Sequence, residues 1–215
     1  MLEHKTISLS EQVFDRLESD ILGGTYPRGE ILTELKLVND LGVSRTPIRE
    51  ALRRLEQEHL IEMTNRGILV IGVTQKDLED IFAIRMRIEG MATREATCHI
   101  TQEELRELLE TVELQEFYVT KKNAGSIRGM DSKFHQLIYR FSGSPALYDT
   151  LIPLHNKTQK FRQTSVENAD RAIQSAMEHR AIYEAIAAGD ADLAEKHTLT
   201  HIENARNYIL SQGVL

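Results

Sequence analysis

The sequence predicts a mostly α-helical chain in two parts, an N-terminal unit of three helices closed by a β-hairpin wing and a C-terminal all-α antiparallel helical bundle. Three observations predict it. Before residue 56, apolar residues recur near a 3.6-residue period in three short segments separated by glycine. Residues 60–64 and 68–72 then read as short strands on either side of Asn65-Arg66-Gly67, a turn triplet with glycine where a positive φ is needed. From Gln75 onward every periodic segment is helical, at roughly 75–98, 102–122, 126–142, 145–164, 168–188 and 190–211. The boundary is expected at Gly72-Val73-Thr74, which gives units of 1–73 and 74–215.

Each element follows from local chemistry. Leu9, Val13, Leu17, Ile21 and Leu22 form the stripe of a first amphipathic helix, with Ser8 or Ser10 as its cap and Gly23-Gly24 as its end. Tyr26-Pro27-Arg28-Gly29 supplies a turn before Ile31-Leu32. Thr33 can cap a second helix over 34–40, whose apolar members Leu35, Leu37, Val38 and Leu41 are enough to pack one face, and Gly42 offers the left-handed exit. Ser44 is expected to cap a third helix with Pro47 in its first turn, where a missing amide proton costs nothing. Ile48, Ala51, Leu52 and Leu55 are its buried stripe, so its arginines project outward.

Charge bears on partners. The chain carries a net charge of −7, and residues 1–75 hold 9 Lys plus Arg against 12 Asp plus Glu, so neither part is globally basic. Nucleic-acid binding rests on phosphate neutralisation, so any such role must be local. The third helix meets that demand, with Arg45, Arg49, Arg53 and Arg54 facing only Glu50 between residues 44 and 54. A lone cysteine, Cys98, excludes an intramolecular disulfide. Charged residues interrupt every apolar segment and no basic leader opens the chain, so a soluble cytoplasmic protein without a membrane partner is expected.

The third helix has the form of a DNA reader. Its N-terminal end is the part that enters a major groove. Arg45 and Arg49 are four residues apart on one face. A guanidinium can bond guanine O6 and N7 together, a pairing on the order of 1–3 kcal/mol in discrimination. Ordinary surface ion pairing with Glu50, Glu56 and Glu58 is the competing reading. The run from Leu41 to Leu52, Leu-Gly-Val-Ser-Arg-Thr-Pro-Ile-Arg-Glu-Ala-Leu, followed by Arg54-Leu55-Glu56, closely resembles the winged helix-turn-helix signature of the GntR family. The likeness extends from Ser8 through Tyr26-Pro27-Arg28-Gly29-Glu30 to the wing at Arg66-Gly67. It implies DNA contacts at Arg45, Thr46 and Arg49, with Ser44 and Arg53 beside them, and a wing whose Arg66 and Gly67 enter the minor groove. Two positions depart from the pattern: Leu35 stands where some members have a basic residue, and His59 stands where a glycine usually ends the reading helix.

Residues 75–211 resemble the FCD domain of FadR-type GntR regulators. Asp131 and His135 stand at i and i+4, His179 lies on an apolar face with Ala172, Ala176, Tyr183 and Ile186, and His197 and His201 repeat the four-residue spacing in the last helix. The resemblance selects Asp131, His135, His179 and His201 as ligands of a divalent transition metal, zinc, nickel or manganese, with His197 the rival for the last place. Each histidine taken alone reads as a hydrogen-bonded core residue, and His4, His59, His99 and His155 keep that reading. Ile84-Arg85-Met86-Arg87-Ile88-Glu89 implies that Arg85, with Glu89, grips the carboxylate of an effector beside the metal, a surface ion pair being the alternative. Tyr139 and Arg162 could line the same cavity. The implied protein is a non-enzymatic regulator, in the first instance a repressor, that binds palindromic operator DNA as a homodimer and senses a small organic acid. A metal-dependent bundle enzyme and a helical part that only dimerises are the alternatives.

Overall fold

The computed structural model describes residues 8–158, 161 and 167–212, which divide into two compact units, Met1–Thr74 and Gln75–Leu215. In the first, α1 (Leu9–Leu22) is capped by Ser8, whose hydroxyl accepts from the Glu11 amide. Strand β1 (Ile31–Leu32) precedes α2 (Glu34–Leu41), which Thr33 caps by accepting from the Lys36 amide. Gly42 at φ 66° reverses the chain into α3 (Arg45–Gln57). Strands β2 (Ile61–Thr64) and β3 (Gly67–Val70) complete a three-stranded antiparallel sheet of order β1-β3-β2.

Three local outcomes differ from the expectation. Ser44 stands at the N-cap of α3, but its side chain makes no capping hydrogen bond. Pro47 removes one of the two amides a cap hydroxyl can bond, the one three residues on, where Ser8 and Thr33 find theirs. Second, β1 is a strand that two residues are too few to reveal by periodicity; it pairs Ile31 with Leu69 and Leu32 with Ile68. Third, Thr64 pairs with Gly67, so the hairpin loop is the dipeptide Asn65-Arg66 and the glycine belongs to the strand. Gly67 has φ +130°, and a Cβ there would lie 2.6 Å from the Leu32 carbonyl oxygen. The requirement for glycine comes from β1 as well as from the turn.

This unit closes over one core. Val13, Phe14, Leu17 and Ile21 of α1 meet Leu37 of α2, Ile48, Ala51, Leu52 and Leu55 of α3, and Leu60, Ile61, Ile68 and Val70 of the wing. Leu37, Ile48 and Leu55 are fully buried, and each such side chain contributes about 1.5–3 kcal/mol by leaving water. Packing thereby fixes α3 against α1 and α2 and leaves its polar face outward.

In the second unit, α4 (Gln75–His99), α5 (Gln102–Thr120), α6 (Ala124–Phe141), α7 (Pro145–Lys157), α8 (Ala169–Ala187) and α9 (Ala191–Ser211) form a helical bundle. Helix α7 ends at Lys157, and of the predicted continuation to 164 residues 159–160 and 162–164, Arg162 among them, lie outside the described residues. Thr101 and Glu104 form a capping box at α5. The apolar core runs through Ala92, Leu108, Val112, Phe134, Ile138, Leu151, Ile182 and Ala194.

Helices α4 and α9 meet closely. Gly90 faces Glu195, whose Cγ would be 2.9 Å from an added Cβ. The buried Thr198 and Thr93 hydroxyls are 3.0 Å apart, and Arg94 binds both Asp192 and Glu195. Among the described residues, no helix is long and apolar enough to cross a membrane.

Candidate functional site

Two sites emerge, one in each unit. In the first, α3 presents Ser44, Arg45, Thr46, Arg49 and Arg53 to solvent, while Pro47, Ile48, Ala51 and Leu52 are buried. The alternation follows from the helical period acting on one apolar stripe. Arg66 is exposed at the tip of the hairpin and Gly67 is half-buried at its base. The arginines of α3 do not behave alike. Arg54 lies over the Phe14 ring, 3.8 Å from its centroid, and pairs with Glu11, so it braces α3 against α1. Arg49 donates through Nε to both carboxylate oxygens of Glu34, at 2.9 and 3.1 Å. That hydrogen bond holds the Glu34 carboxyl below its ordinary pKa. Glu34 escaped the sequence reading because it lies 15 residues from Arg49, on another helix, with no local spacing to signal it.

In the second unit, α6, α8 and α9 bring three buried imidazoles together. His135, His179 and His201 each offer a nitrogen, all within 4.8 Å of one another. His201 Nε2 lies 3.3 Å from His179 Nε2 and 3.2 Å from His135 Nε2. Asp131 Oδ1 is 3.8 Å from His179 Nε2. The rival His197 is half-buried one turn earlier and stands outside this cluster.

The opposite edges of the rings decide the chemistry. His201 Nδ1 is 2.7 Å from Glu178 Oε2 and His179 Nδ1 is 2.7 Å from Gln115 Oε1. His135 Nδ1 faces Glu89 Oε2 at 3.4 Å. Glu178 Oε2 and Gln115 Oε1 accept, so Nδ1 of His201 and of His179 carries the proton and Nε2 turns a lone pair inward, and the charge of Glu89 favours the same tautomer of His135. Burial pushes the His135 pKa down, favouring the neutral ring despite Glu89. Three lone pairs at this separation repel one another unless a cation lies among them. Donors on a tetrahedral ion with bonds of about 2.0–2.1 Å stand about 3.3 Å apart. Two of the three nitrogen spacings match that value and the third lies within 4.8 Å, so the donor set fits a transition metal, and oxygen partners on the far ring nitrogens are the usual outer support of such a site.

Around this cluster lies a second ring of polar groups. Glu178 is clamped by Arg171 at 3.1 Å and by Asn204 at 2.8 Å. Phe134 stacks on His179 with centroids 4.1 Å apart. Arg85 and Glu89 form a hydrogen-bonded ion pair that is almost wholly buried, not a surface pair. Burial disfavours both charges, but their mutual attraction outweighs it and keeps Glu89 ionised and Arg85 protonated. Arg85 Nη1 also reaches the Thr158 hydroxyl at 3.4 Å. Buried His155, read from sequence as an ordinary core residue, has its ring centroid 5.0 Å from that of His135 and 6.1 Å from that of Tyr139. Gln115 and Glu178 had no role in the sequence reading. Glu178 adjoins His179, but a neighbour in sequence points to another face of a helix, and here it serves His201.

A trihelical head with a wing and an exposed arginine face, joined in sequence to a helical unit with a polar centre, defines a DNA-binding regulator. Comparison gives the family. Residues 9–70 match the gntR family of bacterial regulatory proteins and residues 80–204 match the FCD domain, so the chain belongs to the GntR family with an FCD C-terminal domain. It is 30% identical over 195 residues to the uncharacterized HTH-type transcriptional regulator YdhC of Bacillus subtilis (strain 168), covering 90% of this chain and 87% of that protein. It is 25% identical to the HTH-type transcriptional repressor RspR of Escherichia coli (strain K12), covering 92% and 87%. In fold it is similar to the solved structure of E. coli McbR/YncC, with a TM-score of 0.83 at 24% identity over 96% of this chain and 99% of that one. These relatives and families are DNA-binding transcriptional regulators and not enzymes.

Proposed function

We propose that this regulator is a metal-dependent repressor, a cytoplasmic homodimer that binds a palindromic operator and changes its affinity when a small organic acid enters the helical unit. The observation that carries the reading is the convergence of three buried imidazoles, each with a side-chain oxygen behind its far nitrogen. Asp131, His135, His179 and His201 would hold zinc, nickel or manganese. The ion would supply a Lewis-acidic position for an anionic oxygen. Arg85 stands near with its charge already answered by Glu89. An incoming carboxylate would compete with Glu89 for the guanidinium. That exchange gives the acid different affinities for two arrangements of the helices, which is the condition for any ligand to shift an equilibrium.

On the DNA side, Arg45, Thr46 and Arg49 would meet base edges, Ser44 and Arg53 the backbone, and Arg66 and Gly67 the minor groove. The exposed face of α3 supports this assignment, and a pair of heads reads enough base pairs to choose a site.

The test is operator affinity, using duplexes selected from random DNA by the full chain, with and without metal and across a panel of carboxylic acids. An acid-dependent change of at least several-fold that disappears on chelation is expected. Binding of acids with no change in DNA affinity would overturn the switching mechanism.

A further inference from the structure

We infer that Glu34 is a positioning residue for base readout: it holds Arg49 by Nε so that the two terminal nitrogens of the guanidinium face the DNA. The inference rests on the reading of Arg49 as a base contact. A guanidinium carries one N–H on Nε and four on its terminal nitrogens, and the outward pair at the end of the fork matches guanine O6 and N7. Glu34 takes the Nε side with both of its oxygens and leaves that end edge outward.

The anchor is rigid. Glu34 is the first residue of α2, directly after the Thr33 cap, and α2 is held to α3 by buried Leu37 and by the tight turn at Gly42. Arg49 is otherwise a long exposed side chain with many rotamers. Fixing it before DNA arrives removes part of the ordering cost from the bound state, which favours the sequence that matches the fixed edge. The carboxylate also opposes the approach of a phosphate to the same guanidinium. Glu34 thus raises the difference between base-specific and backbone binding.

The experiment measures base preference, non-specific affinity and salt dependence for the full chain carrying Glu34→Ala, Arg49→Ala, both changes, or the conservative Glu34→Gln. The DNA probes are duplexes recovered from a random library by the unaltered protein. Glu34→Ala is expected to lower the ratio of specific to non-specific affinity about tenfold per half-site. The loss should fall at the same base position that Arg49→Ala erases, and the salt dependence of non-specific binding should steepen as one cation is released toward phosphate. In the Arg49→Ala background it should have no further effect, and Glu34→Gln, which keeps one acceptor, should retain part of the preference. Thermal melting of each variant verifies the fold. Tighter specific binding by Glu34→Ala, an unchanged preference, or a change at a base unaffected by Arg49→Ala would overturn the positioning role. If Arg49→Ala itself leaves base preference intact, the reading of α3 fails first and independently.

Discussion

At the scale of single residues, two half-buried hydrogen bonds make quantitative claims. Glu178 accepts from His201 and is itself held by Arg171 and Asn204. Glu178→Gln removes the charge that fixes the ring, and such outer partners are worth about 10–100-fold in metal affinity. Competition with a chromophoric chelator should show a loss in that range, and unchanged affinity would remove Glu178 from the support of the site. In the first unit, Tyr26 donates to Asp40 at 3.2 Å, and burial together with this bond pushes its phenol from 10.0 to about 12. A folded pKa above the unfolded one gives stability that is complete below pH 10 and is lost as pH rises through 12. Alkaline unfolding of the first unit should therefore steepen in that window, and Tyr26→Phe should flatten it.

At the scale of elements, termini and turns carry the strain. His59 ends α3 in the left-handed region at φ 58°, where a glycine is most at ease. His59→Gly should relieve that conformation and raise stability by about 0.5–1 kcal/mol, less than the full strain because glycine also frees the unfolded chain. Gly67→Ala is the opposite case: its Cβ would strike the Leu32 carbonyl, so β1 must part from β3 and the melting temperature should fall by several degrees. The sequence made the helices of this unit legible because one core selects one apolar stripe on each. It hid β1, since two residues show no period. It also hid the failure of Ser44 to cap, to which the missing amide of proline three residues later contributes. In the helical unit, four-residue spacing marked Asp131 with His135 and His197 with His201, and the family resemblance selected His201 and added His179. Their supporting partners Gln115 and Glu178 did not stand out, because contacts between helices leave no mark along either one. Arg85 and Glu89 were adjacent on one face, but their burial depends on what α6 and α7 bring over them.

At the scale of the whole molecule, two features govern behaviour. The net charge of −7 disfavours indiscriminate adhesion to DNA, so binding should depend on the match to α3 and fall steeply with salt. A metal held among α6, α8 and α9 would link folding of the helical unit to ion concentration. Free ion at 1,000 times its Kd stabilises by about 4 kcal/mol. Calorimetry should then show the helical unit melting earlier in chelator while the transition of the first unit stays in place. Coincident loss of both transitions, or of neither, would contradict that linkage. The seam between α4 and α9 bears on how such a change is carried. A glycine and a pair of buried hydroxyls meet there, and Arg94 ties α4 to two carboxylates of α9 nearer the surface, so sliding one rod past the other would drive Glu195 off its seat on Gly90 and break both ion pairs. The two helices are expected to move as one piece, like geared shafts, and their backbone amides should exchange with deuterium at a shared pace even when a ligand slows the rest of the bundle.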